Sequence, residues 1–572
     1  LSFAVATALT ASVTTSAFAL DLYVDTKTKQ IFAEPGKGRQ KMGAFEKVEE
    51  STHTTSHSSN FVNQEHAIQA TESEKSEIEK IHHELELKGN EIKALEEHAK
   101  AAEEEGMVEI KKDGGIEFKS RDGNFKMAIN GRLQVDSQSN VNQSLPASGA
   151  GTIVNPFGSG FQSTGVPAEL NDGATLRRAR IGVEGTFFKN TDYKFEYDFT
   201  RGNGLNAGGI TDSYIKQNFS KPFSVKFGAF KEPFSMEEAT SNRYTTFIER
   251  NMATNTFVDN LNTYKVGIGA NWVEERWQAG TSFQTEGIGG YGNAYGSNNL
   301  AGTSLASATT GIGSATNLNG GVNRNNGGGS TSWEANGRLT GMPWMESKTK
   351  FLHIGASGSY INLNNNLKAD GTYNNGGVVF ANGIGSNVDR TGLFNTGNLT
   401  ASKARQAEYL TRFGAESALV YGPFSAQGEY IRTDVSGKGY DKNESLDGYY
   451  GYATYFLTGE SRAYKGSTGA WDRIKPTRNF DLKGGLGAWE LAGGYDYMNL
   501  NSGVINGGRV STAKFGLNWY PNPHVRVMAD YVHALDINTD IIKGAYTGLN
   551  AQSKAFNNAD LDMIETRVQL DW

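Results

Sequence analysis

The sequence predicts an all-β transmembrane barrel of about 16 antiparallel strands with an inward-folded third long loop, preceded by a periplasmic helical coiled coil. Three observations carry this. From about Phe125 to the C-terminus polar and apolar residues alternate with period two in recurrent segments, tight turns alternate with long Gly- and Asn-rich stretches between them, and residues 72–105 switch to a heptad pattern. The 572 residues include 70 Gly and no Cys, only 37% are apolar, and mean hydropathy is −0.50. A set of soluble domains would need more apolar material for its cores. No Gly-X-Y period is present, so the chain is not collagen-like. The lack of cysteine excludes disulfide scaffolds, thiolate metal sites, iron–sulfur clusters and covalently attached c-type haem. No run of 18 apolar residues occurs, which excludes helical membrane spans.

Residues 1–19, LSFAVATALTASVTTSAFA, read as the apolar part of a secretory signal ending at Ala17-Phe18-Ala19, with the mature chain starting near Leu20. The basic start of such a signal is missing, so it is expected to be partial. Residues 20–71 are polar, rich in Ser, Thr and His, and are expected to form a loosely ordered periplasmic arm. Between 72 and 105, Ile78, Ile81, Leu85, Ile92, Leu95, Ala99 and Ala102 fall at a and d positions, with Lys88 the polar intruder. A coiled coil roughly 50 Å long is predicted, and its mixed Ile and Leu seam permits a trimer. An isolated charged helix is the alternative. Residues 106–124 read as a linker to the barrel at 125–572.

Barrel strands are expected near 125–136, 176–188, 191–200, 211–219, 223–230, 263–272, 275–284, 331–341, 349–360, 405–419, 423–433, 447–457, 486–498, 509–520, 523–535 and 561–572. Ile564, Thr566, Val568, Leu570 and Trp572 share one face of the last, with Glu565, Arg567, Gln569 and Asp571 on the other. In 176–188, Ile181 and Val183 oppose Arg178, Arg180 and Glu184. An arginine facing lipid near the bilayer midplane costs about 2 to 4 kcal/mol, so two of them fix the register. A soluble β-solenoid or sandwich is the alternative. It leaves unexplained why Trp272, Trp333, Tyr360, Trp519 and Trp572 stand at segment ends, where interfacial girdles need aromatics.

Leu176-Arg-Arg-Ala-Arg-Ile-Gly-Val-Glu-Gly185, Val225-Lys-Phe-Gly-Ala-Phe-Lys-Glu-Pro-Phe234, Phe247-Ile-Glu-Arg250 and Gly131-Arg-Leu-Gln-Val-Asp136 together resemble the phosphate-selective porin O and P family. The resemblance covers about the first third of the barrel. It implies a sixteen-stranded homotrimeric porin of the bacterial outer membrane whose third long loop narrows the lumen. The residues agree on that loop. Positions 231–262 are neither Gly- nor Asn-rich and carry Phe234, Met236, Tyr244, Phe247, Ile248, Met252 and Phe257, a content costly in a water-exposed loop. An aromatic external loop in a subunit contact is the alternative.

If alternate residues face inward, Arg132, Arg178, Arg180, Lys194, Lys226, Arg338, Arg412 and Arg526 line the pore, joined by Lys231, Arg243 and Arg250 on or beside the loop. The resemblance places Arg177, Arg178 and Arg180 on the family's arginine ladder and Arg250 on its loop motif. Pro233, Phe234, Glu237, Glu238, Phe247 and Glu249 are expected in the constriction. Inward acids such as Asp136, Glu184, Glu196, Glu334, Glu416, Glu429, Asp530 and Glu565 are nearly as many as the bases, and mixed signs give milder selectivity than a ring of one sign. The loop's glutamates depart from a strongly phosphate-binding pattern.

The reading is therefore passive diffusion of small hydrophilic solutes and ions through a water-filled pore with an anion or phosphate preference. The alternatives are a structural outer-membrane anchor whose coiled coil tethers a periplasmic partner, or a sheath around an electron-transfer partner. Outer-membrane lipid and lipopolysaccharide, copies of the same chain and small anions are the expected partners. No cofactor, metal or nucleic acid is expected. An enzyme on this scaffold would need a nucleophile and base, yet His353, His524 and His533 stand beside no serine motif. His53 with His57, and His82 with His83, lack the flanking ligands of a metal frame. The formal charge of −7 belongs elsewhere: residues 72–105 hold 12 Glu and 5 Lys, whereas residues 106–572 hold 44 basic and 43 acidic side chains. Deleting residues 20–105 is expected to leave the barrel folded and lower the temperature at which its oligomer dissociates on a gel; an equally heat-resistant oligomer would assign the helix another role.

Overall fold

The computed structural model describes residues 20–25, 31–32, 39–45, 64–104, 107–110, 116–120, 122–144, 169–200, 209–258, 264–285, 333–363, 380–385, 388–389, 392–397, 399, 405–440, 444–539 and 556–572, with side chains placed at 76–97 and from 116 onward. The period-two segments form sixteen strands: β1 (Phe125–Ser144), β2 (Gly173–Phe187), β3 (Thr191–Asp198), β4 (Gly209–Asn218), β5 (Phe223–Phe230), β6 (Lys265–Val273), β7 (Trp277–Thr285) and β8 (Trp333–Ser347). The second half comprises β9 (Lys350–Asn362), β10 (Gln406–Tyr421), β11 (Phe424–Lys438), β12 (Glu444–Phe456), β13 (Ala488–Ser502), β14 (Ile505–Asn522), β15 (Val525–Asn538) and β16 (Asp560–Asp571). Each pairs antiparallel with the next, and β16 closes on β1 from Asp560↔Ser144 to Asp571↔Arg132. Closure leaves no long unpaired edge, the condition for a sheet to cross a membrane.

Side-chain facing follows the charge argument. Along β16, Glu565, Arg567, Gln569 and Asp571 are buried while Ile564, Val568, Leu570 and Trp572 are exposed; in β2, Arg178 and Arg180 are buried and Ile181 is exposed. Exposed large apolar and aromatic side chains recur on the other strands, such as Phe227, Phe283, Leu339, Ile354, Phe413 and Phe515, which is what hydrocarbon contact requires. β1 runs past the expected 136 to Ser144 because its polar Ser-Gln-Asn continuation has no apolar alternation to betray it, though the ladder persists. Tight connections at 188–190, 219–222, 274–276, 348–349, 422–423 and 523–524 share one end of the barrel, the periplasmic one by the usual rule. The connection at 457–487 lies at that same end and is far longer.

Two segments differ from expectation. The arm expected at 20–71 contains strands Leu20–Asp25, Ile31–Phe32 and Arg39–Phe45, which pair in one small sheet, and the first shows the period-two alternation in only six residues. Within the linker expected at 106–124, Met107–Ile110 and Ile116–Lys119 pair as a hairpin, and Ile116–Lys119 pairs with Ile129–Lys126 of β1. Four-residue strands are too short to stand out by periodicity. The hairpin occupies the same edge of β1 as β16, just beyond Gly131, which exchanges backbone hydrogen bonds with Trp572. The helix spans Gln64–Glu104, longer than the expected 72–105, and leaves Ile78, Ile81, Leu85, Ile92 and Leu95 each more than half exposed. The secretory signal expected at 1–19 lies outside the described residues.

Close strand approach at Gly185 makes the fold's demand for glycine testable. A Cβ there would stand 1.9 Å from the Lys126 carbonyl oxygen and 2.7 Å from the Tyr193 hydroxyl, whereas at Gly337 the nearest atom would be 4.0 Å away. Gly185→Val is expected to lower the unfolding free energy by about 1 to 3 kcal/mol or more, read as the urea midpoint of the refolded barrel, with Gly337→Ala shifting it far less.

Candidate functional site

The connection after β5 is built around buried apolar side chains: Phe234, Met236, Phe247, Ile248, Met252 and Phe257. Two short helical turns shape it. Ser235 Oγ accepts the Glu238 N–H at 3.2 Å to cap Met236–Ala239, and Asn251 Oδ1 accepts the Thr254 N–H at 2.8 Å to cap Met252–Phe257. Residues 259–262 of the expected constriction lie outside the described residues.

Charged side chains on the buried faces of the strands hold this segment by its backbone. Asp530 accepts the Ile248 N–H at 2.6 Å, and Glu429 accepts the Glu237 N–H at 2.7 Å. Arg567 donates to the Ile248 carbonyl at 2.6 Å, Arg526 to those of Thr245 and Thr246 at 2.7 and 3.2 Å, and Arg412 to that of Phe257 at 2.9 Å. Hydrogen bonds with one charged partner are about twice as strong as neutral ones. Aromatic contacts add to them: Phe247 meets Tyr452 edge-on at 5.8 Å and fills the space a side chain at Gly494 would need, and Arg412 lies 4.8 Å over the Phe234 ring.

Three of the segment's four glutamates are paired with basic side chains. Glu249 lies between Arg177 at 2.7 Å and Arg567 at 2.9 Å, while Arg567 also grips Asp136 at 2.7 Å. Glu232 lies between Lys265 at 2.7 Å and Arg412 at 2.8 Å, and Glu238 between Lys231 at 2.5 Å and Arg250 at 3.2 Å. Burial opposes ionisation of Glu249, but Arg177 and Arg567 outweigh it and hold its carboxyl below the ordinary range; Arg412 and Lys265 do the same for Glu232. Both therefore stabilise the fold fully above the ordinary carboxylate range, and that contribution is lost as pH falls below it. At Glu237 burial dominates and pushes the carboxyl up, despite Arg250 and Arg462.

Beside the segment lies a cavity of about 680 Å³ whose lining holds ten basic and five acidic side chains. Of the residues expected at the pore, Arg132, Arg180, Lys194, Lys226, Lys231, Pro233, Arg243 and Arg338 meet there. Arg132 and Arg180 share Glu196 at 2.7 and 2.9 Å, Arg180 adds Asp198 at 2.7 Å, Lys194 pairs with Asp212 at 3.0 Å, and Arg338 with Glu416 at 2.6 Å. Lys226 rests 4.5 Å over the Tyr214 ring, and Arg243 donates to the Gly131 carbonyl at 3.3 Å. Lys226, Arg243, Arg178 and Arg526 form no ion pair among the described residues. Arg177, Arg178, Arg250, Arg412 and Arg526, with Phe234, Glu237, Glu238, Phe247 and Glu249, do not line the cavity; they pack or pair around the segment.

Sequence reasoning passed over the 457–487 connection. Arg462 pairs with Glu490 at 2.8 Å and donates to the Tyr244 carbonyl at 2.5 Å; Trp471 Nε1 donates to the Tyr452 hydroxyl at 3.1 Å; Arg338 donates to the carbonyls of Thr468 and Gly469. The available signal was its length at the tight-turn end. Part of 361–404, one of the long Gly- and Asn-rich stretches between strands, is likewise buried: Phe380 meets Phe257 edge-on at 5.3 Å, and Asn382 donates to Thr256. His533, Asp560 and Asp562 converge at the far rim, but Asp562 already accepts from Tyr531, His533 and Asn142.

A closed sheet with an apolar outer face, aromatic residues at its rims and a charged interior defines a transmembrane pore of the outer-membrane type. The chain belongs to the phosphate-selective porin O and P family, whose model matches residues 160–539, and it is an outer-membrane porin. It is similar to Porin O of Pseudomonas aeruginosa, 27% identical over 450 residues that cover 75% of this chain and 87% of that protein, and to an uncharacterized protein of Caulobacter vibrioides, 25% identical over 74% and 71% respectively. Among solved structures it is similar to OmpT, an outer membrane protein of Vibrio cholerae (10% identity, 78% of this chain, 98% of that chain, TM-score 0.41), and to an anion-selective porin from Comamonas acidovorans (8%, 78%, 100%, 0.41).

Arg567→Gln removes the grip on Asp136, Glu249 and the Ile248 carbonyl at once. Loss of one partner of a buried pair costs about 3 to 5 kcal/mol, so the urea midpoint is expected to fall well below that of Arg178→Gln, whose one described side-chain hydrogen bond is to Gln134.

Proposed function

We propose that this chain forms a homotrimeric diffusion pore for small anions, phosphate among them, constricted from within by the segment from Lys231 to Val258. The net basic lining of the 680 Å³ cavity carries this reading. Its five acids face ten bases, and four of those bases, Lys221, Lys226, Arg243 and Lys465, form no ion pair among the described residues. A passing anion meets positive charge already desolvated and aimed, which raises its local concentration. Backbone bonds from Arg526, Arg567 and Asp530 support the constriction, because a segment so held cannot swing out without leaving buried charges unpaired. Most other charges cancel in pairs, so the preference is moderate rather than absolute.

The exposed apolar stripe on the 64–104 helix supports a trimeric seam, since five large aliphatic side chains left in water among the described residues are suited to cover by like helices. The same stripe would equally serve a tether to a periplasmic partner. A plugged tether passes no current in planar bilayers.

Reversal potential across a KCl gradient tests the pore directly. Wild-type channels are expected to prefer chloride, and the charge reversals Arg243→Glu and Lys226→Glu are each expected to shift the potential towards potassium. Cation preference in the wild type, or unmoved potentials in both variants, overturns the assignment of selectivity to this cavity.

A further inference from the structure

The 457–487 connection divides into two parts with opposite surroundings. Its first part is buried through Arg462 and Trp471 and contributes Lys465, Thr468 and Asp472 to the cavity. Its second part, Arg478–Leu486, lies on the outer surface of the barrel. Phe480 meets Trp519 edge-on at 5.2 Å, Trp519 stacks on Trp489 at 5.4 Å, and both indole N–H groups donate to the Leu486 carbonyl, at 2.9 and 3.1 Å. Trp489 and Trp519 alternate with the fully buried Glu490 and Asn518 and share their face with the exposed Leu491 and Leu517, so they belong to the lipid-facing side. They stand at the start of β13 and the end of β14, the tight-turn rim.

This part is a stiff turn. Asp481 accepts the N–H groups of Lys483 and Gly485 at 2.8 and 2.9 Å and the Arg478 guanidinium at 3.1 Å, while the Phe480 N–H donates to the Pro521 carbonyl at 2.6 Å. So fixed, it holds Leu482 at 96%, Leu486 at 63% and Phe480 at 45% exposure, flanked by the exposed Arg478 and Lys483. Ordering three apolar side chains into water gains nothing. Against a membrane surface each acquires a partner: tryptophan prefers the headgroup level, leucine the acyl boundary below it, and cations the lipid phosphates.

We infer that Arg478–Leu486 is an interfacial anchor that seats on the phospholipids of the periplasmic leaflet of the outer membrane. Leu482 and Leu486 enter the acyl boundary, and Arg478 and Lys483 meet the phosphates. Because the same connection continues into the cavity, the anchor fixes one wall of the pore relative to the bilayer. Continuity with the lipid-facing apolar band and the Trp489–Trp519 pair selects lipid over a second copy as the occupant.

The cysteine-free chain makes the test clean. Full-length Leu482→Cys carrying a polarity-sensitive fluorophore is reconstituted into phosphatidylglycerol and phosphatidylethanolamine vesicles containing lipid spin-labelled near the headgroup, with Ser467→Cys in the cavity half as the reference. At position 482 the spin-labelled lipid is expected to quench emission about two-fold, with the spectrum blue-shifted and shielded from aqueous iodide. At 467 iodide should quench and lipid should not. Iodide quenching with no lipid quenching at 482 overturns the anchor, and so does a label shielded from both quenchers, which would assign the turn to contact between copies.

Discussion

A charged wall inside a membrane barrel must be neutralised locally, and in this protein much of the neutralisation is done by main chain. Arg412, Arg526 and Arg567 each reach carbonyl groups of the segment after β5, and Asp530 and Glu429 take its amides. Strand charges so placed would be expensive if left alone. The segment in turn has two short helices and no sheet partners of its own, so its conformation depends on those side chains. Wall and segment are therefore one unit energetically: neither has a low-energy state without the other.

That coupling bears on the proposed selectivity, because a charge committed to a partner is not offered to a solute. Arg250 and Arg412 carry full charges yet are committed to Glu238 and Glu232. Lys226 and Arg243 form no ion pair among the described residues, and in the proposed pore such charges, rather than the inventory, would set the field a solute feels. The near-neutral barrel, with 44 bases against 43 acids from residue 106 onward, hides this local asymmetry.

The barrel was legible in the sequence because lipid imposes period two with a large penalty for error; Arg178 and Arg180 alone settle which face of β2 is buried. All sixteen strands stand within a few residues of expectation, save where a ladder runs on past the expected end, as at Ser137–Ser144 and Met342–Ser347. Less of the site was legible. The apolar content of 231–262 announced a buried loop, but nothing local in Arg462, Trp471 or Phe380 signals that they meet that loop, since their partners lie far off in the chain. Pairing across hundreds of residues, as between Arg567 and Asp136, leaves no pattern to read in one sequence.

The small hairpin at 107–119 gives the closure a mechanical stop. Trp572 ends against Gly131, and Ile116 takes up the same edge of β1 from Ile129. Sliding β16 by one residue would turn Arg567 and Glu565 to lipid, and sliding it by two towards the periplasmic end would drive Trp572 into the hairpin. The strand that closes the barrel thus finds its stagger already measured out by residues made long before it, and the circumference of the pore follows from that stagger.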